Sequence, residues 1–448
     1  MSQSTSTESN NKEVQGITRI AVQGFKSLYD ECSIEIRPLT ILAGANSSGK
    51  SSIMQPLLLM KQTLEAPYDP GALLLNGPNV KFTLAKQLLS CASRTSLNNQ
   101  FKIQIQINNN SFIENIFQIT REIGIELICT NFNFGNGLIL EMPIDGKTRE
   151  ILDQKNMRRE HFKITPTKKS IHSMLPPPSL AGINVGRNRC FLEPIKTIIR
   201  ITTFEVFKEK IRQIVHVSGL RGNPERTYNA TAISENFPGK FEHYVASIIN
   251  NWQFTKSNLI LDLENALNQL GITSRVEARK INDVQLELRV SRLPGRDSEN
   301  DMVSIADVGI GVSQVLPVLV TLLVAKPGQL IYIEQPELHL HPRAQVALAN
   351  ILADAAKRDV RVVIETHSEL LLLAVQSLVA ERQLSPDLVK LHWFTRGDDG
   401  ITKVSSADLD EAGAFGDFPE DFSDVSLKLE SRYLNAAESR LSEGSNGG

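Results

Sequence analysis

One stretch, Gly44-Ala45-Asn46-Ser47-Ser48-Gly49-Lys50-Ser51, constrains this chain more than any other. An apolar run, Leu39-Thr40-Ile41-Leu42-Ala43, leads into it, and Ile53-Met54-Gln55-Pro56-Leu57-Leu58-Leu59-Met60 follows. Strand, glycine-rich loop, helix is the setting that a P-loop requires. The glycines let the backbone wrap so that successive N–H groups aim at a phosphate. The helix N-terminus adds its positive dipole end. Lys50 would reach the β- and γ-phosphates, and the Ser51 hydroxyl would face Mg²⁺. The candidate nucleotide-binding residues are Gly44, Asn46, Ser47, Ser48, Gly49, Lys50, Ser51 and Ser52, with ATP and Mg²⁺ as the cofactors.

At 448 residues the chain exceeds one ordinary domain, so two lobes or a domain with a large insertion is expected. A hydrophobic content of 41% with 22% charged residues is that of a globular protein with a sizeable core. The net charge of −2 supplies no global basic field, so any nucleic-acid surface has to be a local patch. Cys32, Cys91, Cys129 and Cys190 show no metal-like spacing, which suits reduced thiols. Met1 to Lys12 is polar and reads as a disordered tail rather than a signal peptide. No apolar run is long enough to span a bilayer, and a cytoplasmic location is expected.

Along the chain, Ile17 to Val22 and Ile34 to Ile36 read as strands around a Gly24-Phe25-Lys26-Ser27 turn. This suggests a hairpin edge feeding the nucleotide sheet. Phe101 to Ile107 alternates strictly, and Phe112 to Thr120, Ile123 to Cys129 and Leu138 to Met142 extend the same antiparallel pattern. Lys155 to Lys169 is basic, and Met174 to Leu180 carries Pro176-Pro177-Pro178, which marks an insertion with a surface loop. Phe241 to Trp252 and Leu259 to Leu270 have helical spacing, and Ser274 to Glu277 with Val284 to Val290 read as a strand pair leading back to the nucleotide sheet. The expected organisation is a tail at 1–13, an N-terminal ATPase lobe at 14–140, an insertion with helical and β parts at 141–300, a C-terminal ATPase lobe at 301–408 and an extension at 409–448.

From Val303 onward the motifs crowd together. Asp307-Val308-Gly309-Ile310-Gly311-Val312-Ser313-Gln314 is a glycine loop opening a helix, again an anion-binding device. Leu330-Ile331-Tyr332-Ile333 is a short buried strand ending in Glu334, an acid placed to hold Mg²⁺ or its water. Pro342 suits the first turn of the helix that follows. Val360 to Ile364 is another buried strand, closed by Glu365-Thr366-His367-Ser368, where His367 can hydrogen-bond a γ-phosphate.

The P-loop, the segment Glu334-Gln335-Pro336-Glu337-x-His339-x-His341-Pro342 and Thr366-His367-Ser368 together resemble the ABC-type ATPases of the SMC/RecF/OLD group. The nearest likeness is to bacterial AAA-type proteins of anti-phage and DNA-maintenance systems. Leu220 to Arg226 and the tail from Asp410 to Tyr433, with Gly-x-Phe-Pro-Glu-Asp-Phe at Gly416 to Phe422, look like segments of that subgroup. The likeness is strongest at both ends and weak from about Glu141 to Arg200. It implies an α/β P-loop NTPase of ABC-ATPase type: a mixed central sheet, an antiparallel β lobe and a small helical insertion. It also implies a homodimer with two ATPs sandwiched between heads, the P-loop of one facing the signature loop of the other, here Gly309, Gly311 and Ser313.

Two departures stand out. The signature loop lacks the Leu-Ser-Gly-Gly-Gln spelling of transporter ATPases. The position after the strand-end acid, usually a catalytic glutamate in this group, is Gln335. Glutamine can orient a water but cannot take its proton, so Glu334, Gln335 and His367 as the catalytic set imply slow hydrolysis and a nucleotide switch. Such a switch would act on a separate effector protein. The short chain past Leu434 leaves no room for an appended nuclease. A RecF- or SMC-like ATPase binding DNA through Lys155–Lys169 is the alternative, in DNA repair or chromosome maintenance. A transporter subunit is disfavoured by the missing signature. A zinc hydrolase built on Glu337, His339, His341 and His367 lacks a helical HExxH arrangement.

Overall fold

A computed structural model describes residues 16–90, 99–107, 111–120, 124–134, 138–143, 163–166, 202–292, 301–416 and 431–435. The amino-terminal tail, the Pro176-Pro177-Pro178 loop, the Gly416–Phe422 motif beyond its first residue, and most of the basic Lys155–Lys169 segment lie outside these residues. The chain opens with β1 (Ile17–Gln23), β2 (Cys32–Glu35), β3 (Leu39–Gly44) and α1 (Lys50–Glu65). Then come β4 (Gln100–Ile107), β5 (Ser111–Thr120), β6 (Gly124–Phe134), β7 (Leu138–Pro143) and β8 (Lys163–Pro166). The middle holds α2 (Thr202–Arg212), β9 (Val215–Val217), β10 (Tyr228–Asn229), α3 (Val245–Phe254), α4 (Leu259–Gln269), β11 (Val276–Lys280), β12 (Gln285–Ser291) and β13 (Met302–Ser304). The last part runs α5 (Ile310–Val324), β14 (Leu330–Glu334), α6 (Pro342–Lys357), β15 (Arg361–Glu365), α7 (Glu369–Ala380), β16 (Val389–Arg396) and β17 (Thr402–Ala407).

The fold is mixed α/β, with a central sheet in the order β17-β16-β3-β15-β14-β9. From β16 to β9 its neighbours are parallel, and β17 closes one edge antiparallel. A parallel sheet is covered on both faces, so its strands are apolar throughout and alternate between two cores. Leu39, Ile41, Ile331, Ile333, Val362 and Ile364 face one core, shared with α5, α6 and α7. Leu42, Tyr332 and Val363 face the other, where Ile53, Met54 and Leu57 of α1 lie between the sheet and the antiparallel strands. Being enclosed on so many sides, α1 buries even Lys61, which is paired with Glu65 and donates to the Arg212 carbonyl at 3.1 Å.

The strict alternation of β4 holds: every second residue is buried. Two pairings differ from expectation. The β1–β2 hairpin is not an edge of the nucleotide sheet; β1 pairs with β4, and the pair heads an antiparallel sheet ordered β2-β1-β4-β5-β6-β7-β8. Pro38 stands between β2 and β3 and has no N–H for a ladder, so the chain breaks there and crosses to the second sheet. The strand pair β11–β12 likewise stays apart, joining β10 and β13 in its own small sheet against α3. Trp252 and Trp393 are both buried in the core, as their apolar settings suggest.

β16 runs beside β3 with Phe394 opposite Gly44, so what anchors β16 also anchors the P-loop strand. His392 is that anchor. Its Nε2 donates to the Glu35 carbonyl at 2.8 Å, leaving Nδ1 to accept from Ser406 Oγ at 2.7 Å. Burial holds its pKa down to about 4, against the pull of the Glu35 carbonyl bond. The imidazole is neutral when folded and protonates near 6.5 when unfolded, so its contribution is present above about pH 6.5 and is lost as pH falls toward 4. The melting-temperature advantage of the natural protein over His392→Gln should therefore shrink between pH 7 and pH 4. A gap that stays constant across that range would contradict this account.

Candidate functional site

β3 ends at Gly44 with φ 138°, and α1 begins after Gly49 with φ 104°. Neither position tolerates a side chain. A Cβ on Gly44 would sit 2.2 Å from the Phe394 carbonyl oxygen, and one on Gly49 would sit 2.5 Å from Thr402 Oγ1. Ser47 between them is also left-handed, at φ 60°. Alternating left-handed positions of this kind turn N–H groups toward one concavity. Lys50 Nζ reaches back to the Gly44 and Ala45 carbonyls at 2.9 and 2.8 Å, and burial lowers its pKa, opposed by Glu365.

The P-loop forms one wall of a cleft of about 780 Å³ that Glu334, Gln335, Glu365 and His367 also line. The four come together because β14 and β15 are register partners that end side by side, Glu334 opposite Glu365. Glu365 lies next to β3, opposite Leu42. It accepts a hydrogen bond from Ser51 Oγ at 2.9 Å and another from the Tyr332 hydroxyl. Burial pushes its carboxyl up to about 7, and the Glu334 charge acts in the same direction. Glu334 is held differently: Oε1 is 3.1 Å from His216 Nε2, and Oε2 accepts the Gly219 N–H at 3.0 Å. Burial opposes its ionisation, yet the His216 and Gly219 bonds and the Arg221 charge hold its pKa below the usual value.

Gln335 adopts φ 45°, and its N–H donates to the Glu365 carbonyl at 2.8 Å. A left-handed non-glycine backbone costs roughly 1 kcal/mol or more, a strain common at working sites. Glu337 turns away from the cleft to brace the next loop, accepting from Thr366 Oγ1 at 2.8 Å and the His367 N–H at 3.0 Å. That brace presents the His367 ring to the cleft, where burial and the Lys50 charge lower its pKa. His341 is used as a helix cap: its Nδ1 accepts from the Arg343 N–H at 3.3 Å.

Gly309, Gly311 and Ser313 are not brought to this cleft. They open α5, with Gly309 exposed as its N-cap and Ser313 Oγ bonded back to the Ile310 carbonyl at 2.8 Å. Several cleft residues carried no separate sequence signal. Lys26, bonded to Gln55 at 2.6 Å, and Arg396 with Asp398 arrive through sheet pairing rather than motif spacing. Glu365 did carry one, since it ends an apolar strand just as Glu334 does.

The site fits a magnesium nucleotide. Ser48 Oγ is buried in the loop without a hydrogen-bond partner, a donor ready for a phosphate oxygen. The Ser51 hydroxyl and the two carboxylates are hard oxygen donors of the type Mg²⁺ prefers.

Two family models match the chain. One, described as "AAA domain, putative AbiEii toxin, Type IV TA system", matches residues 234–374. The other, described as "AAA ATPase domain", matches residues 16–179. Between them they take in the P-loop, the strand-end acids and His367. No curated relative matches. Among solved structures, an SMC head bound to the C-winged helix domain of ScpA aligns at 14% identity and TM-score 0.49, over 89% of this chain and 99% of that one. The SMC head domain from Thermotoga maritima aligns at 10% and 0.36, over 88% and 100%. An Smc head with an extended coiled coil, bound to the C-terminal domain of ScpA derived from Pyrococcus furiosus, aligns at 11% and 0.42, over 88% and 96%.

Arg221 ties the cleft to α5. Its guanidinium donates to the Gln314 carbonyl at 3.0 Å and to the Glu334 and Gln335 carbonyls at 2.8 and 3.2 Å. Gln314 returns a bond from its amide to the Gly222 carbonyl at 2.7 Å. Arg226, by contrast, pairs with Asp307 at the surface. Arg221→Ala would strand several carbonyls in a buried setting and cost on the order of 3 kcal/mol. The expected readout is a lowered urea-unfolding midpoint that Arg221→Lys restores only in part, because an ammonium cannot span both segments. Unfolding of Arg221→Ala at the natural midpoint would contradict this bracing role.

Proposed function

We propose, from the premise that this chain belongs to the ABC-type AAA ATPases of the SMC/RecF/OLD-like group, that it closes on a second copy around ATP and acts as a slow switch on a separate effector protein. The observation that carries this reading is Gln335, fixed at the cleft beside Glu334 where a proton-accepting carboxylate would be needed. The P-loop amides and Lys50 bind phosphate, and His367 reaches the terminal phosphate. Ser51 with the strand-end carboxylates Glu334 and Glu365 supplies the donors for Mg²⁺. Mg²⁺ held by these residues would supply positive charge that offsets the charge of the phosphates. Gln335 orients the attacking water without removing its proton, so turnover is slow.

Dimerisation is supported by the placement of the glycine loop. Gly309 lies exposed at the start of α5, outside its own chain's cleft and available to a neighbour's nucleotide. One matching family is described as "AAA domain, putative AbiEii toxin, Type IV TA system", and the role we assign to the switch is anti-phage defence.

Single-turnover ATP hydrolysis, with Lys50→Ala as the blank, tests the switch. The natural protein should run near the blank, and Gln335→Glu should be about a hundredfold faster or more. Equal rates for the natural protein and Gln335→Glu would sink the slow-switch reading. Light scattering should show a doubling of mass with ATP for the natural protein and none for Lys50→Ala. For the biological role, phage plaque counts on cells carrying the protein should be lower than on cells carrying Lys50→Ala; equal counts would argue against defence.

A further inference from the structure

β3, which delivers the P-loop, divides the cleft. On one side β15 and β14 bring the acids and His367; on the other stand β16 and β17. The turn joining β16 to β17 lines the same cleft through Arg396, Asp398, Asp399 and Gly400. With the terminal phosphate drawn to the acids, the nucleoside has to leave the P-loop on the side of this turn. The turn is fastened to the loop itself. The Thr402 N–H donates to the Ser27 carbonyl at 2.8 Å, and Thr402 Oγ1 donates to the Ser48 carbonyl at 2.7 Å. Arg396 Nη1 lies 3.5 Å from the Ser47 carbonyl, and its Nε donates to the Gly400 carbonyl at 2.9 Å. Ser48 Oγ, buried in the same loop without a partner, marks where a ligand oxygen is awaited.

The two acids of the turn are used differently. Asp399 Oδ1 accepts the Ile401 N–H at 2.9 Å, while the Gly397 N–H donates to the Ile401 carbonyl at 3.0 Å, and these bonds hold the turn in shape. Asp398 is exposed and has no hydrogen-bond partner among the described residues. An ionised carboxylate only accepts hydrogen bonds, and phosphate oxygens have none to give. Two residues of chain beyond Arg396 reach no more than about 7 Å, and on leaving the phosphates the first donors of a nucleotide are its ribose hydroxyls. We propose that the β16–β17 turn reads the sugar: Asp398 accepts from the ribose hydroxyls, and Arg396, held against Ser47, faces the phosphate next to the ribose. This rests on the nucleotide reading above and deepens it, making the site selective for ribonucleotides through a turn that lies outside the phosphate-binding motifs.

Sugar recognition can be measured without turnover, by calorimetric titration of the full-length protein with ADP and with 2′,3′-dideoxy-ADP. The natural protein should bind ADP about tenfold more tightly, the worth of a charge-assisted hydrogen bond at an exposed site. Asp398→Ala should bind ADP as weakly as the dideoxy compound while its dideoxy-ADP affinity stays at the natural value, which also shows that the variant is folded. Asp398→Asn keeps an acceptor without the charge and should fall between the two. Arg396→Ala should weaken both ligands by the same factor, since the phosphate is common to them. Equal binding of the two ligands by the natural protein, or a tenfold preference that survives in Asp398→Ala, would overturn the assignment. Natural protein that binds ADP no better than Lys50→Ala would remove the nucleotide reading itself, a failure distinct from the other two.

Discussion

The parallel register between β3, β15 and β14 is the constraint on which the rest of this molecule depends. It sets Leu42 opposite Glu365 and Glu365 opposite Glu334, so three strands that are far apart in sequence end at one edge. The apolar alternation that buries both faces of the sheet also fixes that register. A slip of one residue would turn every core side chain to the wrong face and would swing the acids away from α1. Core packing and site geometry are thus one and the same requirement.

Charge placement follows from that edge. Lys50 and Glu365 share a partly buried space where each favours the other's charged form, while the Glu334 charge opposes ionisation of Glu365. The arrangement leaves Lys50 on loop carbonyls and Ser51 on Glu365, both contacts that a phosphate and a cation can replace with stronger ones. The loop is shaped before any ligand arrives, because Gly44 and Gly49 are pressed against Phe394 and Thr402 of the neighbouring strands. Preorganisation of this sort spares the ordering cost at binding.

Much of this was legible in the sequence because its causes are local. An apolar run, a glycine loop and a helix announce the P-loop; alternation announces β4; a proline after a histidine announces α6. The illegible parts depend on which strand neighbours which. Glu334 and Glu365 share one local signal, an acid ending an apolar strand, and only the sheet order separates their partners. His216 and Arg221 offered nothing periodic to read, since their meaning lies in contacts 118 and 113 residues away. The β1–β2 hairpin was visible as a hairpin, but its sheet was not, because a pairing partner eighty residues on leaves no trace in local spacing.

The bridge made by Arg221 has a bearing on control. Burial draws its pKa down to about 10, opposed by the carboxylates of Glu242, Glu337 and Glu334, and that value is still far above neutrality. The guanidinium therefore keeps its proton throughout the range a cell visits, and the link between the start of α5 and the end of β14 has a single protonation state. One charged side chain thus joins the helix that follows the glycine loop to the strand end at the cleft. Proton loss from Arg221 is therefore no part of how the start of α5 and the end of β14 are joined.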